Sequence, residues 1–273
     1  MSASYTSISS DKLSKLIGTA GAPALIDVRI DDDFSADPRL IPGAVRRSHL
    51  EVQDWASRLM GQSVVVVCHR GRKLSEGTAA LLRCNSIAAE VLEGGHLGWK
   101  EAQLPTVPAD KIPKRDGRDR TVWVTRSRPK IDRIACPWLI RRFVDPTAVF
   151  MFVTPAEVEA VAERFRATPF DIENVFWSHR GELCTFDVMV KEFGLSTPAM
   201  ERLATMVRAA DTARLDLSPE APGLLAASLG LSRMFDDDLE QLNAGILLYD
   251  AFYHWCRDAT TEIHNWPTNK VKP

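Results

Sequence analysis

The segment SVVVVC, residues 63–68, constrains the fold more than any other part of this sequence. Its four consecutive valines form an apolar run of strand length, which predicts a buried central strand. A basic loop, HRGR, follows at 69–72, and KLSEGTAALLRC (73–84) has the pattern of a helix. A strand, a tight loop and a helix in this order are typical of a parallel sheet with crossover helices.

Residues 1–107 continue this alternation of short apolar runs and helical patterns, which predicts an α/β domain. Three prolines and alternating charges then interrupt the pattern at 105–120, so we predict a linker at 108–120. The predicted elements of the first domain are a helix at 9–20, a strand at 24–29, a turn and strand at 41–49, a helix at 50–60, the strand at 63–68, the helix at 73–84 and a strand at 88–95.

The remaining residues, 121–273, have a different pattern that predicts a second domain. It opens on the apolar run TVWVTR (121–126), but helical periodicity dominates after Glu182. The order of elements predicts a mainly α-helical α+β domain. Its predicted elements are strands at 121–126 and 148–154, and helices at 136–144, 154–167, 184–193, 197–213, 219–229 and 236–258.

Composition excludes several classes of protein. A net charge of −2 gives no electrostatic reason to expect a nucleic-acid or membrane partner, and no apolar run reaches the ~20 residues that span a bilayer. Five cysteines at scattered spacings do not resemble a disulfide framework, and they favour a reducing compartment. The N-terminus lacks the pattern of a secretory signal, so we expect the cytoplasm.

The loop after the valines has the composition of an anion site. Backbone N–H groups converge in such a turn, and the following helix adds its positive end. His69, Arg70, Arg72 and Lys73 crowd the thiol of Cys68, and nearby cations favour the nucleophilic thiolate. Two interpretations are therefore open: a reactive thiol in an anion cradle, or an ordinary buried cysteine with charges nearby.

Four motifs in this region resemble the rhodanese-like family over about residues 8–106. They are LIDVR (25–29), IPGA (41–44), CHRGRK (68–73) and LEGGHLGWKEAQLP (92–105). The resemblance implies a rhodanese fold, a parallel five-stranded sheet with helices on both faces. It also implies a sulfurtransferase in which Cys68 carries a persulfide and transfers sulfur from a thiosulfate-like donor to a thiol or cyanide acceptor.

Roles for the other loop residues follow from the same resemblance. The backbone amides of the loop, from His69 through Gly71 to Lys73, would hold the persulfide, and Arg70, Arg72 and Lys73 would attract the anionic donor. We predict that Asp27 and Arg29, at the end of a strand beneath the loop, support it by hydrogen bonds.

The loop differs from that of the phosphatases and arsenate reductases with a C-x5-R motif. That motif would place an arginine at position 74, where this chain has Leu74. The shorter loop therefore favours sulfur over phosphate. Two positions also depart from the rhodanese pattern: Lys73 replaces a frequent arginine, and Leu74 replaces a frequent serine or threonine. These departures leave the identity of the donor open.

The second domain carries a set of residues that could ligate a metal. His179, Cys184 and Asp187 lie together in SHRGELCTFD (178–187), and imidazole, thiolate and carboxylate all bind metals. Acids in otherwise apolar helices add to this set, and Asp211 completes the predicted metal ligands. The pattern has two interpretations, a metal or oxyanion site and a structural polar network, because buried acids need partners in either case. The acids in question are Asp211, Glu220 and Asp250.

Residues 121–264 resemble the C-terminal domain of chromate-resistance proteins of the ChrB type. The matching motifs are RPKIDRIACPWLIRRFVDP (128–146), HRGELCTFD (179–187), ADTARLDLSPEAPGLLAASLGL (210–231) and LYDAFYHWCRD (248–258). The resemblance implies a role in chromate or metal stress. In regulators of this type a DNA-binding half comes first. A rhodanese-like region takes its place here, so no nucleic-acid partner is expected.

Together these features predict a cytoplasmic sulfurtransferase linked to chromate or metal stress. Its partners would be a small anionic sulfur donor and a thiol or protein acceptor, with Cys136 or Cys184 as internal acceptors if either faces Cys68. Sulfur transfer requires no cofactor, whereas the second domain would hold a metal ion. Three alternatives remain open: a metal- or oxyanion-binding sensor with an accessory rhodanese domain, a chromate or arsenate reductase, and an interaction module without turnover.

Overall fold

Five parallel strands form the centre of the first part of the chain, in a computed structural model that describes residues 6–262. With a short antiparallel pair beside them, the strands are β1 (Ser7–Ile8), β2 (Ala24–Asp27), β3 (Arg39–Leu40), β4 (Ala44–Arg46), β5 (Ser63–Val67), β6 (Ala88–Leu92) and β7 (Val107–Pro108). The order across the five-stranded sheet is β1–β6–β5–β2–β4, and β3 pairs with β7. The prediction of a central strand at 63–68 is confirmed, since β5 has a neighbour on each side.

Apolar clusters cover both faces of this sheet, which explains the uninterrupted valines of β5. Val64 and Val66 belong to one cluster, and Val65 and Val67 belong to the other. A strand buried on both faces has no solvent-facing positions for polar residues. The predicted parallel five-stranded fold is therefore confirmed. Its helices are α1 (Ser10–Leu16), α2 (Asp31–Ala36), α3 (Val52–Trp55), α4 (Lys73–Cys84) and α5 (Gly95–Glu101).

Two details differ from the prediction. The helix predicted at 50–60 is only the single turn of α3, followed by a 3-10 turn at Ala56–Leu59. The helices α2 and α5 were missing from the prediction. The first is a run of acids that shows no apolar periodicity, and the second follows two glycines with positive φ, which read as a turn.

The second part of the chain joins a small parallel sheet to a set of helices. Its strands are β8 (Val122–Arg126), β9 (Val149–Val153) and β10 (Thr168–Pro169), in the order β10–β8–β9. The helices are α6 (Asp132–Phe143), α7 (Val158–Phe165), α8 (Thr185–Glu192), α9 (Pro198–Asp211), α10 (Ala221–Met234) and α11 (Asp238–His254). The predicted mainly helical α+β architecture is confirmed. Helix α6 begins four residues before the predicted 136, which places Asp132 in its first turn.

Phe143, at the end of α6, joins the two parts of the chain. A Cβ atom on Gly18 would overlap the ring of Phe143, and Phe143 O accepts a hydrogen bond of 2.6 Å from Gly43 N. Its ring packs edge-on against Tyr253, with 5.5 Å between centroids. One apolar cluster extends from β5, through Phe143, into the helices of the second part. The two parts therefore share a core.

The predicted linker, 108–120, lies across this interface. Arg115 contacts Asp145 at 3.2 Å, and Arg47 pairs with Asp119. Val107, just before the linker, is buried. The domain boundaries at 107 and 121 stay predictions, because the apolar core continues across them. Within residues 6–262, no helix combines the length and the apolar composition needed to span a bilayer.

Replacing Phe143 with alanine tests the shared core. We expect Phe143→Ala to lower the free energy of unfolding by about 3–5 kcal/mol, because it opens a cavity beneath Gly18 and Tyr253. Phe165→Ala is the matched control, since that side chain is 56% exposed; it should change the value by under ~1 kcal/mol. Urea denaturation measures both, and equal effects would contradict a shared core.

Candidate functional site

The Cys68 loop lies at the carboxyl end of the central strand, where open parallel sheets place their binding sites. Cys68 follows β5 directly, and α4 begins at Lys73. The preceding carbonyl, Val67 O, accepts a hydrogen bond of 2.8 Å from Val28 N. The thiol thus emerges from a strand that hydrogen bonds to its neighbours up to the last residue.

Hydrogen-bonding groups surround the thiol of Cys68, which is only 5% exposed. Arg72 N donates to Cys68 Sγ at 3.3 Å, and Ser75 Oγ lies 3.1 Å from the same sulfur. The Ser75 hydroxyl also lies 2.9 Å from Arg72 O. A hydroxyl can rotate to suit either partner. It therefore accepts from the thiol and can donate to a sulfur anion.

Two glycines hold this loop against the first turn of α5. Gly71 and Gly95 both have positive φ, and a Cβ on Gly95 would overlap Cys68 O and Gly71 N. His96 N donates to Cys68 O at 2.9 Å, and Leu97 N donates to His69 O at 3.1 Å. Backbone atoms cannot move aside as side chains can, so only glycine fits at these positions.

The side chains of Arg70, Arg72 and Lys73 are exposed around the thiol. Among the residues that the structure describes, none of the three forms an ion pair. His69 is half-buried, and its Nδ1 atom is buried with no hydrogen-bond partner in residues 6–262. The loop therefore presents positive charge that no acidic side chain neutralises.

Asp27 and Arg29 form a buried ion pair below this edge of the sheet. Arg29 Nε lies 2.8 Å from Asp27 Oδ2, and its other nitrogens donate to Asp37 O at 3.1 Å and Arg39 O at 2.6 Å. The pair thus fixes the segment between α2 and β3. Its support for the Cys68 loop stays a prediction, since these contacts lead to 37–39 instead.

The carboxylate of Asp37 contacts three side chains that carry positive charge or a ring nitrogen, and it links residues 37–39 to α5. It contacts Arg39 Nε at 2.8 Å, Lys100 Nζ at 2.5 Å and the buried ring of His96 at 3.2 Å. Burial alone raises the pKa of Asp37, but these three hydrogen bonds outweigh it and hold the pKa well below its usual range. Sequence reasoning missed this residue, because two of its three partners, His96 and Lys100, lie far away along the chain.

A second cluster of polar side chains lies in the other part of the chain. His179 Nε2 is 3.4 Å from Asp132 Oδ2, 3.4 Å from Asp171 Oδ1 and 3.3 Å from Asp211 Oδ2. The carboxylates raise the pKa of His179 to about 12. Of these residues, His179 and Asp211 were predicted as metal ligands. Asp132 and Asp171 were not.

The four predicted metal ligands separate into two pairs. Cys184 and Asp187 form the N-terminal cap of α8, where Asp187 Oδ2 accepts from Cys184 N at 3.1 Å and lies 3.2 Å from its sulfur. Arg208 Nη1 donates a hydrogen bond of 2.6 Å to the other oxygen of Asp187, Oδ1. The closeness of Cys184 and Asp187 in the sequence therefore reflects a helix cap. The residue that joins His179 and Asp211 in a group of possible metal ligands is Asp132.

The two thiols considered as internal sulfur acceptors are buried. Cys136 and Cys184 are both fully enclosed by the core. Burial and neighbouring carboxylates raise the pKa of each thiol well above its ordinary value. A neutral, enclosed thiol is a poor nucleophile, so neither residue is placed to receive sulfur.

Family comparisons divide the chain where its architecture changes. Residues 9–102 match the model of the rhodanese-like domain, and residues 123–256 match the model of the ChrB C-terminal domain. This chain joins a rhodanese-like domain to a ChrB C-terminal domain. Both predicted resemblances are confirmed, within a few residues of the predicted 8–106 and 121–264.

One curated relative is Protein ChrB from Cupriavidus metallidurans, which is 27% identical over 223 residues. The match covers 76% of this chain and 66% of that protein, so the chain spans just under two thirds of the length of this relative.

Solved structures match the rhodanese-like domain. A rhodanese-related protein from Thermoplasma volcanium is 22% identical, with 38% of this chain and 98% of that chain covered and a TM-score of 0.33. A rhodanese-like domain protein from Staphylococcus aureus is 25% identical, with coverages of 34% and 90% and a TM-score of 0.31. A thiosulfate sulfurtransferase from Pseudomonas aeruginosa is 21% identical, with coverages of 41% and 21% and a TM-score of 0.34.

The charge on Asp37 predicts how the rhodanese-like domain responds to acid. Because the pKa is lower in the folded state, the carboxylate stabilises the fold above about pH 4, its unfolded value, and this contribution decreases as the pH falls further. Asp37→Asn should therefore lower the free energy of unfolding at pH 7 and weaken its dependence on pH below 4. Urea denaturation at several pH values measures this, with the exposed Asp32→Asn as control. A pH dependence identical to that of the wild type would contradict the assignment.

Proposed function

We propose that this protein is a sulfurtransferase that carries sulfane sulfur on Cys68. The observation that supports it most directly is the environment of the thiol. A fixed backbone amide and a hydroxyl lie within 3.3 Å of the sulfur, and the loop carries exposed cations that have no ion-pair partner within residues 6–262. Such an arrangement stabilises a sulfur anion and attracts an anionic donor. The similarity of residues 9–102 to the rhodanese-like family agrees with it.

The proposed sulfur transfer has two steps. The Cys68 thiolate attacks the outer sulfur of a thiosulfate-like donor, and the bond between the two donor sulfurs breaks. Sulfite leaves with the electron pair, and the enzyme keeps a persulfide anion. A thiol or cyanide acceptor then attacks the terminal sulfur and restores the Cys68 thiolate. Arg72 N and the Ser75 hydroxyl stabilise the negative charge on sulfur.

The size of the loop favours sulfur as its occupant. Leu74 occupies the position that an arginine takes in phosphatase loops. It packs against the apolar cluster beneath α4. It therefore contributes no charge to the anion site. Lys73 supplies a point charge where an arginine would supply a planar fork. We infer a small sulfur donor with one anionic end, and leave its identity to experiment.

The second part of the chain suggests the setting of this activity. Its similarity to the ChrB C-terminal domain supports a role in chromate or metal stress. Cys68, Cys84, Cys136, Cys184 and Cys256 are all free thiols, which agrees with a cytoplasmic, reducing environment. The acceptor is then a small thiol or a protein thiol in solution, because Cys136 and Cys184 are enclosed.

Removal of the Cys68 thiol tests the proposed function. We expect Cys68→Ala to reduce thiosulfate-to-cyanide sulfur transfer by at least about 100-fold, because the nucleophile is lost. Cys84→Ser is the matched control, since Cys84 is exposed and lies at the far end of the same helix; it should keep the wild-type rate. A folded wild-type protein without activity, or a Cys68→Ala variant that retains it, would overturn the proposal.

A further inference from the structure

A cluster of ligand-type side chains outside the Cys68 loop invites a second assignment. Asp132 lies in the first turn of α6, His179 in the loop after β10, and Asp211 at the end of α9. One ligand atom from each residue lies within 4.8 Å of those of the other two. Three separate segments of the ChrB C-terminal domain thus converge on one point, which is lined by one imidazole and two carboxylates.

The distances in this cluster are longer than those of the strongest charged hydrogen bonds. The three carboxylate oxygens lie 3.3–3.4 Å from His179 Nε2, whereas charge-assisted N–H···O bonds are about 2.7–2.9 Å long. A single N–H also points at one acceptor and cannot serve three. By contrast, two ligands about 2.1 Å from a tetrahedral metal ion lie roughly 3.4 Å apart. The distances from His179 Nε2 to the nearest oxygens of Asp132 and Asp211, 3.4 and 3.3 Å, match that separation.

Neighbouring groups fix the cluster in place before any ion binds. Asp132 is fully buried, and its oxygens accept from Thr185 N at 2.6 Å and Phe186 N at 3.3 Å. Thr185 also bonds to Asp171 through its hydroxyl, at 3.0 Å. Groups that orient ligands in this way are typical of the surroundings of protein metal sites.

The local charges leave room for a cation. Arg126 and Arg133 each contact Asp171 at 3.3 Å and so compensate its charge. Within residues 6–262, Asp132 and Asp211 form ion pairs with His179 alone.

The cluster is open on one side. His179 is 42% exposed, so an ion has a path from solvent and can keep a water or substrate molecule as a further ligand.

We propose that Asp132, His179 and Asp211 bind a divalent first-row transition-metal ion, with Asp171 and its two arginines as the outer support. The ligand set contains no thiolate, because Cys184 is held in the cap of α8. One imidazole and two carboxylates suit Mn²⁺, Fe²⁺ or Zn²⁺. The site lies outside the Cys68 loop, so metal binding can be measured apart from sulfur transfer.

Metal titration of the chelator-treated full chain tests this proposal. Mn²⁺ binding is followed by the loss of the free-ion signal in electron paramagnetic resonance. Zn²⁺ binding is followed by calorimetry in a Cys68→Ala background, which removes the thiol of the loop. We expect one ion per chain, and a loss of affinity of at least about 10-fold in His179→Gln and in Asp211→Asn.

Matched controls separate metal binding from folding. The exposed residues His254 and Asp216 provide them, and His254→Gln and Asp216→Asn should bind as the wild type does. Circular dichroism selects the variants that remain folded. If the wild type binds neither ion at this stoichiometry, or if folded His179→Gln and Asp211→Asn bind both ions unchanged, His179 is an internal counterion to the carboxylates and the proposal is wrong.

Discussion

The backbone contact between Gly71 and Gly95 is the constraint on which the thiol site depends. Neither residue has room for a Cβ atom, and their contact holds the Cys68 loop against the first turn of α5. The amide of Arg72 therefore points at the sulfur in the resting fold. A loop whose donors are already oriented needs little rearrangement when negative charge develops on sulfur, which is the basis of electrostatic preorganisation.

The rhodanese-like sheet packs on the ChrB C-terminal domain through Phe143, so the thiol site rests on a core to which both parts contribute. The two sites differ in kind. At Cys68, exposed cations surround one buried sulfur, which suits an anionic substrate. At His179, carboxylates surround one imidazole, which suits a cation. Under the two proposals, opposite local charges would give one chain of nearly neutral net charge two distinct binding chemistries.

Local sequence patterns predicted the parts of the fold and site that depend on neighbouring residues. The valines of β5 and the basic loop after them are one continuous segment, and the structure places them as predicted. Asp37 and Asp132 escaped prediction because their partners lie far along the chain, at His96 and His179. The grouping of Cys184 with His179 as metal ligands stays a prediction, and the proximity of Cys184 to Asp187 in the sequence serves the cap of α8.

The mass of the intact protein after incubation with thiosulfate tests the central claim most directly. The account predicts a gain of about 32 Da, one sulfur atom, which peptide mapping places on Cys68 and which cyanide removes. An unchanged mass, or an added sulfur on the exposed thiol of Cys84 with Cys68 unmodified, would contradict a persulfide held by this loop.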